Sequence, residues 1–112
     1  ITSRSFADKV PKDASARHSS GQNLYEIVDV FVDTYLPYGD ACVEVEGCPQ
    51  AVAPVSTLLN SFSLHLIVIR TVEKLVEKKI EPPLWMSANI PGGDQRNQRW
   101  HDKYNPRVKH LR

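Results

Sequence analysis

A long apolar segment at residues 55–79 constrains the fold of this chain more than any other feature of its sequence. Pro54 precedes the segment and Pro82 follows it, as is typical of residues that bound a helix. Its apolar residues recur with the 3.6-residue period of a helix: Leu58, Leu59, Phe62, Leu66, Ile69, Val72 and Leu75 or Val76. The pattern therefore predicts a single helix, capped by Ser56 or Thr57 and extending ~37 Å, which serves as the central packing element.

The rest of the chain is predicted to hold only short elements. A polar loop over residues 1–23 precedes a helical turn that begins at Leu24. Alternating or β-prone residues predict three short strands, at 28–33, 41–46 and 84–87. The second would place Glu44 and Glu46 on one strand face. Asp94 follows a Gly-rich turn and is expected to cap a last polar helix that ends near Tyr104.

These short elements cannot cover the long helix on all sides. At ~25 cal/mol per Å² of apolar area, several exposed Leu, Ile and Val side chains would cost several kcal/mol, which is comparable with the whole stability of a small domain. We therefore expect Leu58, Phe62, Leu66 and Ile69 to meet another protein surface. That surface would come from a partner chain or from an N-terminal half that precedes Ile1.

Composition argues against several classes of protein. With 14 basic and 13 acidic residues the net charge is +1, which gives no overall attraction for nucleic acid or an anionic membrane. The longest apolar run, residues 64–69, is far shorter than the ~20 residues that span a bilayer, and no signal peptide precedes it. The two cysteines and four dispersed histidines lack the spacing of a metal site. These features predict a cytoplasmic protein without a membrane span or a bound metal.

Several blocks of the sequence resemble the C-terminal half of the SIS (sugar isomerase) domain, in particular that of uncharacterised bacterial proteins similar to phosphoheptose isomerase. The two long blocks are residues 39–68 and 81–97. Three shorter blocks match as well: Ile1-Thr2-Ser3, the run from Ala16 to Gly21, and Leu24-Tyr25-Glu26. Together they extend over nearly the whole chain.

The resemblance implies a fold of the α/β class. SIS domains are doubly wound, flavodoxin-like parallel sheets with helices on both faces, and this chain, residues 1–112, would form the C-terminal half with one long central helix. The half that carries the phosphate-binding loops would precede it. The implied protein binds a phosphorylated sugar, uses no cofactor and forms a dimer or tetramer, and this chain alone would be inactive.

The resemblance also places a ligand site. Ser56 and Thr57 open the long helix, where two hydroxyls at the positive helix end can bind a sugar or its phosphate, or can act as a plain cap. In the family, the block that matches Ile1-Thr2-Ser3 ends a strand, so the resemblance places Ser3 at a strand end. Gln50 and Asn89 lie in loops that would face the same crevice. We expect these five residues to bind ligand.

Catalysis would require a base that moves a proton between C1 and C2 of the sugar. Glu46 is the candidate base, and His18 is the candidate acid for opening the sugar ring. In isomerases of the family a glutamate lies about five residues before the Ser-Thr helix, whereas this sequence has Gln50-Ala51-Val52 there. The departure leaves two hypotheses: an aldose–ketose isomerase, or a non-catalytic module that senses a sugar phosphate or mediates dimerisation.

Overall fold

The computed structural model describes residues 1–111 and divides the chain into two units, Ile1–Arg70 and Thr71–Arg112. Its helices and strands are, in chain order, α1 (Arg4–Lys9), α2 (Leu24–Ile27), β1 (Ala41–Val43), β2 (Val52–Pro54), α3 (Ser56–Glu77) and α4 (Gly93–Tyr104). Two 3-10 turns, Asn105–Arg107 and Lys109–Leu111, follow α4.

The predicted long helix is confirmed as α3, which continues unbroken for 22 residues within the predicted range. The helical turn predicted at Leu24 is confirmed as α2. Its start is fixed by a capping box, in which the main-chain N–H of Asn23 donates to the Glu26 carboxylate at 2.6 Å.

The prediction of a loop over residues 1–23 is wrong for its first part, which contains α1. α1 has six residues, which is too short for an apolar helical period to be recognised in the sequence, and none of them is buried. It is stabilised at its ends instead. Ser3 Oγ accepts from the N–H of Phe6 at 3.3 Å, and the Arg17 guanidinium donates to the carbonyl oxygens of Ala7, at 3.0 Å, and of Val10.

The strand predicted at residues 28–33 is reduced to one parallel bridge, between Thr2 and Asp33. The N–H of Thr2 donates to the carbonyl of Val32 at 3.1 Å, and the N–H of Thr34 donates to the carbonyl of Thr2 at 3.1 Å. Among residues 1–111 the only sheet is an antiparallel pair, in which β1 pairs with β2 with Ala41 opposite Pro54. A doubly wound parallel sheet therefore stays a prediction.

The other two predicted strands are also shorter than expected or missing. β1 ends at Val43, so Glu44 and Glu46 lie in the connection to β2 rather than on one strand face. Residues 84–87 form no strand because the Asn97 side chain bonds both main-chain groups of Met86, at 2.8 and 2.7 Å. These bonds occupy the positions that a neighbouring strand would use.

The prediction that Asp94 caps the last helix is also wrong. α4 begins at Gly93, and its cap is Gly92, whose φ of 81° is favourable for glycine because it has no Cβ. Asp94 instead lies in the first turn, where a carboxylate interacts favourably with the helix dipole.

The apolar face of α3 is exposed, as its sequence indicated. The exposed fractions are 69% for Leu58, 61% for Phe62, 48% for Leu66 and 54% for Ile69. His65, on the same helix, is exposed as well. Within the described part of the chain, Trp100 is the only apolar side chain that is buried. A protein surface that covers this face stays a prediction. No helix within residues 1–111 is long and apolar enough to cross a bilayer.

Candidate functional site

A cleft in the first unit lies where the parallel bridge ends and where α1 and α3 begin. Its volume is about 290 Å³. Its polar lining residues are Thr2, Ser3, Thr34, Asp40, Ser56 and Asn60, and Phe6 and Leu36 are among its apolar ones. Ser3 and Thr34 each follow a residue of the bridge, so both lie on its carboxyl side. In the doubly wound fold that the sequence predicts, ligands bind at this side of the strands, and on that expectation the cleft is the candidate site.

Ser3 forms a fixed part of this cleft. Its side chain is 5% exposed, and its Oγ donates to the carbonyl of Leu36 at 2.8 Å while it accepts the N–H of Phe6. The hydroxyl therefore has its proton committed to the protein. Ser3 shapes the cleft and keeps only acceptor capacity for a ligand.

Asp40 caps α3, a contact at the candidate site that the sequence did not predict. Its Oδ1 accepts from the N–H of Val55 at 3.1 Å and from the N–H of Ser56 at 2.8 Å. Its Oδ2 accepts the hydroxyl proton of Ser56, also at 2.8 Å. Ser56 is thus the first residue of the helix and not its cap. The one signal in the sequence was an aspartate in the turn at residues 37–40.

The Asp40 carboxylate determines the electrostatic character of the cleft. It occupies the positive end of α3 and would repel a second anion placed there. A carboxylate has about four acceptor positions, of which three are used here, and Ser56 Oγ keeps its lone pairs. The cleft therefore offers acceptors to a ligand that carries hydroxyl groups.

His18 lies in a different cavity of the same unit, of about 330 Å³, together with Arg17 and Asn23. The ring is exposed, and its Nδ1 lies 3.0 Å from Ser20 Oγ and 3.2 Å from the Ser20 main-chain N. The polar loop that carries His18 is held by Arg17, whose guanidinium also donates to Asn23 Oδ1 at 2.6 Å.

Glu46 and Gln50 lie in the connection between β1 and β2. Both are exposed and line a cavity of about 290 Å³ with Glu44 and Cys48. The Cys48 thiol donates to the carbonyl of Gln50 at 3.1 Å. The structure thus brings Ser3 and Ser56 together, and it places Glu46 and Gln50 in another cavity.

The two remaining predicted ligand residues are Thr57 and Asn89. Thr57 is exposed beside Ser56 and is not among the residues that line the cleft. Asn89 belongs to the second unit, where it lines a cavity of about 440 Å³ formed by residues 88–95. The turn there is tight, since a Cβ on Gly93 would lie 2.3 Å from the Ser87 carbonyl oxygen.

The shifted pKa of Tyr25 and the positions of the metal-ligating side chains do not assign any further chemistry to the cleft. The pKa of Tyr25 lies above its ordinary value of 10.0, first because its hydroxyl donates to the Asp8 carboxylate and second because of desolvation. Tyr25 lies outside the cleft. Among residues 1–111, His, Cys, Asp and Glu side chains form no group that could hold a metal ion.

No family model matches the sequence. The chain is similar to several bacterial proteins named UPF0309. It is 38% identical to one from Shouchella clausii over 100 residues, which are 89% of this chain and 41% of that protein. It is 35% identical to one from Geobacillus thermodenitrificans over 111 residues, which are 99% of this chain and 43% of that protein. For one from Listeria monocytogenes the values are 40% over 98 residues, 88% and 42%. The chain spans about two fifths of the length of these relatives.

Proposed function

We propose that this chain is part of a sugar-phosphate-binding protein of the SIS type, and that its cleft holds hydroxyl groups of the sugar. The observation that carries the proposal is the pairing of Asp40 with Ser56 beside Ser3. It places acceptor groups together at the carboxyl side of the parallel bridge, where hydroxyl groups can donate to them. The resemblance to SIS domains supplies the ligand class.

The local topology supports the same proposal. Thr2 pairs in parallel with the segment at Val32 to Thr34, and α1 and α2 lie between the two in the chain. Parallel segments need a crossover connection, and helical crossovers are typical of doubly wound sheets. The exposed side chain of Val30 lies on a surface that further strands and helices would cover in such a fold.

The phosphate of the ligand would be held elsewhere. Asp40 already occupies the positive end of α3, and a phosphate placed beside it would meet a like charge. We therefore assign the sugar to this cleft and the phosphate to residues outside it.

Two functions remain to be distinguished: isomerisation of the sugar phosphate, and binding of the sugar phosphate without a reaction, as in a sensor. For isomerisation Glu46 would act as the base and His18 as the acid. The structure lends more support to sensing, because these two side chains line different cavities from Ser56. Exchange of a carbon-bound hydrogen for deuterium decides between them when the complete gene product is incubated with each sugar phosphate in D₂O. Exchange is expected at C2 of the aldose glucose 6-phosphate and at C1 of the ketoses fructose 6-phosphate and sedoheptulose 7-phosphate. Exchange supports the isomerase, and binding without exchange supports the sensor.

Binding itself is tested by removing the Ser56 hydroxyl. In the complete gene product, Ser56→Ala should weaken the affinity for the sugar phosphate about tenfold, because one hydrogen bond to a polar ligand is lost. Thr57→Ala removes a hydroxyl one residue further along the helix, outside the cleft, and should change affinity less than about twofold. Calorimetry with the three sugar phosphates measures both. Equal affinity of the two variants would reduce Ser56 to a partner of the Asp40 cap.

We further propose that the exposed apolar face of α3 is covered in a dimer or tetramer. Sedimentation of the complete gene product should show an oligomer at micromolar concentration. Phe62→Glu, which places a charge on that face, should shift it toward monomer. A monomer before any substitution would contradict this assignment.

We also assign the protein to the cytoplasm. Cys42 and Cys48 are free and exposed, and exposed thiols persist in reducing compartments.

A further inference from the structure

We propose that the second unit contains a separate binding site, which takes a small aromatic phosphate such as a nucleoside monophosphate. The site is a groove of about 320 Å³ between the segment at residues 81–86 and the first turns of α4. Its lining residues are Glu81, Pro82, Leu84, Trp85, Met86, Arg96 and Arg99. The site is independent of the sugar cleft, and it rests on different residues.

One wall of the groove is apolar and accessible. The exposed fraction is 50% for Leu84 and 46% for Trp85, so a ligand can reach both side chains. The indole of Trp85 is held in place by His101, with ring centroids 4.3 Å apart and planes at 81°. A positioned aromatic ring that remains half exposed gives the ring of a ligand a surface to contact.

The other wall is cationic. Arg96 and Arg99 are three residues apart on α4, so they lie on one side of the helix. Arg99 is already engaged, since it pairs with Glu81 and lies over the Trp100 ring at 4.5 Å. Arg96 has no ion pair within the part of the chain that the structure describes. A guanidinium group is well suited to bind phosphate through two hydrogen bonds.

The floor of the groove is held by a buried side chain. Asn97 is 6% exposed and bonds the N–H and the carbonyl of Met86, which fixes the extended segment against α4. A site that is formed before the ligand arrives loses less conformational entropy on binding.

The charge of the unit favours an anion. Residues 71–112 carry nine Lys and Arg against five Asp and Glu, whereas residues 1–70 carry five against eight. The net charge of +1 for the whole chain conceals this difference. A ligand with an apolar ring and a phosphate therefore matches both walls of the groove and the sign of the surrounding field.

Tryptophan fluorescence reports directly on the groove. Trp85 and Trp100 are the two tryptophans of the chain, and Trp100 is buried outside the lining. Adenosine 5′-monophosphate added to the complete gene product should quench the emission saturably, with a Kd below about 1 mM. Trp85→Phe should abolish the quenching attributable to this chain and keep the binding seen by calorimetry, since a ring remains at that position.

Three related compounds test the ligand class. Adenosine lacks the phosphate, and inorganic phosphate and glucose 6-phosphate lack the aromatic ring. Each should bind at least about tenfold more weakly at the groove than the nucleotide. If glucose 6-phosphate produced the same quenching at the same concentration, the aromatic part of the proposal would be wrong. If adenosine did so, the phosphate part would be wrong.

Substitution of Arg96 provides the decisive comparison. Arg96→Gln should weaken nucleotide binding about tenfold or more, because it removes the charge that faces the phosphate. Lys109→Ala removes one positive charge from the same unit but outside the groove lining, and it should leave the affinity within about twofold. Equal effects of the two substitutions, or no saturable binding of the nucleotide to the unsubstituted protein, would overturn the proposal.

Discussion

Removing the Asp40 side chain is expected to lower the free energy of unfolding by about 2–3 kcal/mol, through loss of the cap of α3. The carboxylate accepts three hydrogen bonds, from the N–H of Val55, the N–H of Ser56 and the Ser56 hydroxyl. Without it, the N–H of Ser56 loses its acceptor, and the N–H of Val55 keeps only its bond to the main-chain carbonyl of Asp40, at 3.2 Å. Chemical unfolding of the complete gene product, followed by circular dichroism, measures the loss.

The choice of substitution matters because Asp40 has a φ of 68°. Alanine would add backbone strain in this left-handed region, so Asp40→Gly isolates the side chain better. Asparagine tolerates the same backbone and keeps one acceptor oxygen, so Asp40→Asn should cost about 1 kcal/mol, less than Asp40→Gly. Asp13→Asn, in an exposed turn, removes an equal charge and should change stability by less than about 0.5 kcal/mol.

A double-mutant cycle separates the contact between the two side chains from the bonds to the main chain. Ser56→Ala combined with Asp40→Gly should destabilise the protein by less than the two single substitutions added together, with a coupling of about 1 kcal/mol. Additive effects would show that the Ser56 hydroxyl gains nothing from Asp40, and the cleft would then lack its central polar pair.

The long helix could be predicted from the sequence because its signal is local. An apolar period repeated over 22 residues, with prolines outside both ends, leaves few alternatives to α3. The three predicted strands are short, and no apolar pattern of comparable length supports them. A short strand is stable only with neighbours, and Val28 to Asp33 finds a single bridge to Thr2.

The stabilising contacts that were missed are distant in sequence. Asp40 reaches Ser56 over 16 positions, Arg17 reaches Ala7 over ten, and Asn97 reaches Met86 over 11. Each is a polar side chain that bonds main-chain or hydroxyl groups, and such pairs produce no periodicity. The local pattern therefore places Ser56 at the helix start but carries no signal of the Asp40 carboxylate that it contacts.

The placement of Glu46 shows the same limit at the candidate site. Alternation over residues 41–46 predicted that Glu44 and Glu46 share a strand face, yet β1 ends at Val43 and both lie in the connection to β2. The pairing partner sets where a strand ends: Val43 pairs with Val52, which leaves the residues between them outside the ladder. This pairing, absent from any local pattern, separates Glu46 from the cleft that contains Ser56.

The second large effect is expected for Asn97→Ala, which should lower the stability of the second unit by about 2–4 kcal/mol. The substitution removes both hydrogen bonds to Met86 and leaves a main-chain donor and acceptor unpaired beside a space that the alanine cannot fill. Hydrogen exchange at the Met86 amide should accelerate in proportion, which gives a local readout alongside global unfolding.

The neighbouring residue supplies the matched control. Gln98 is exposed, and its amide donates to the Asp102 carboxylate, at 2.9 Å on the helix surface. Gln98→Ala should therefore change stability by less than about 0.5 kcal/mol. Asn97→Asp keeps the shape and the acceptor for the Met86 N–H but sets a carboxylate oxygen against the Met86 carbonyl, so it should fall near Asn97→Ala. If Asn97→Ala behaved like Gln98→Ala, the contact of Trp85 with His101 would be sufficient to hold the segment at residues 84–87 against α4.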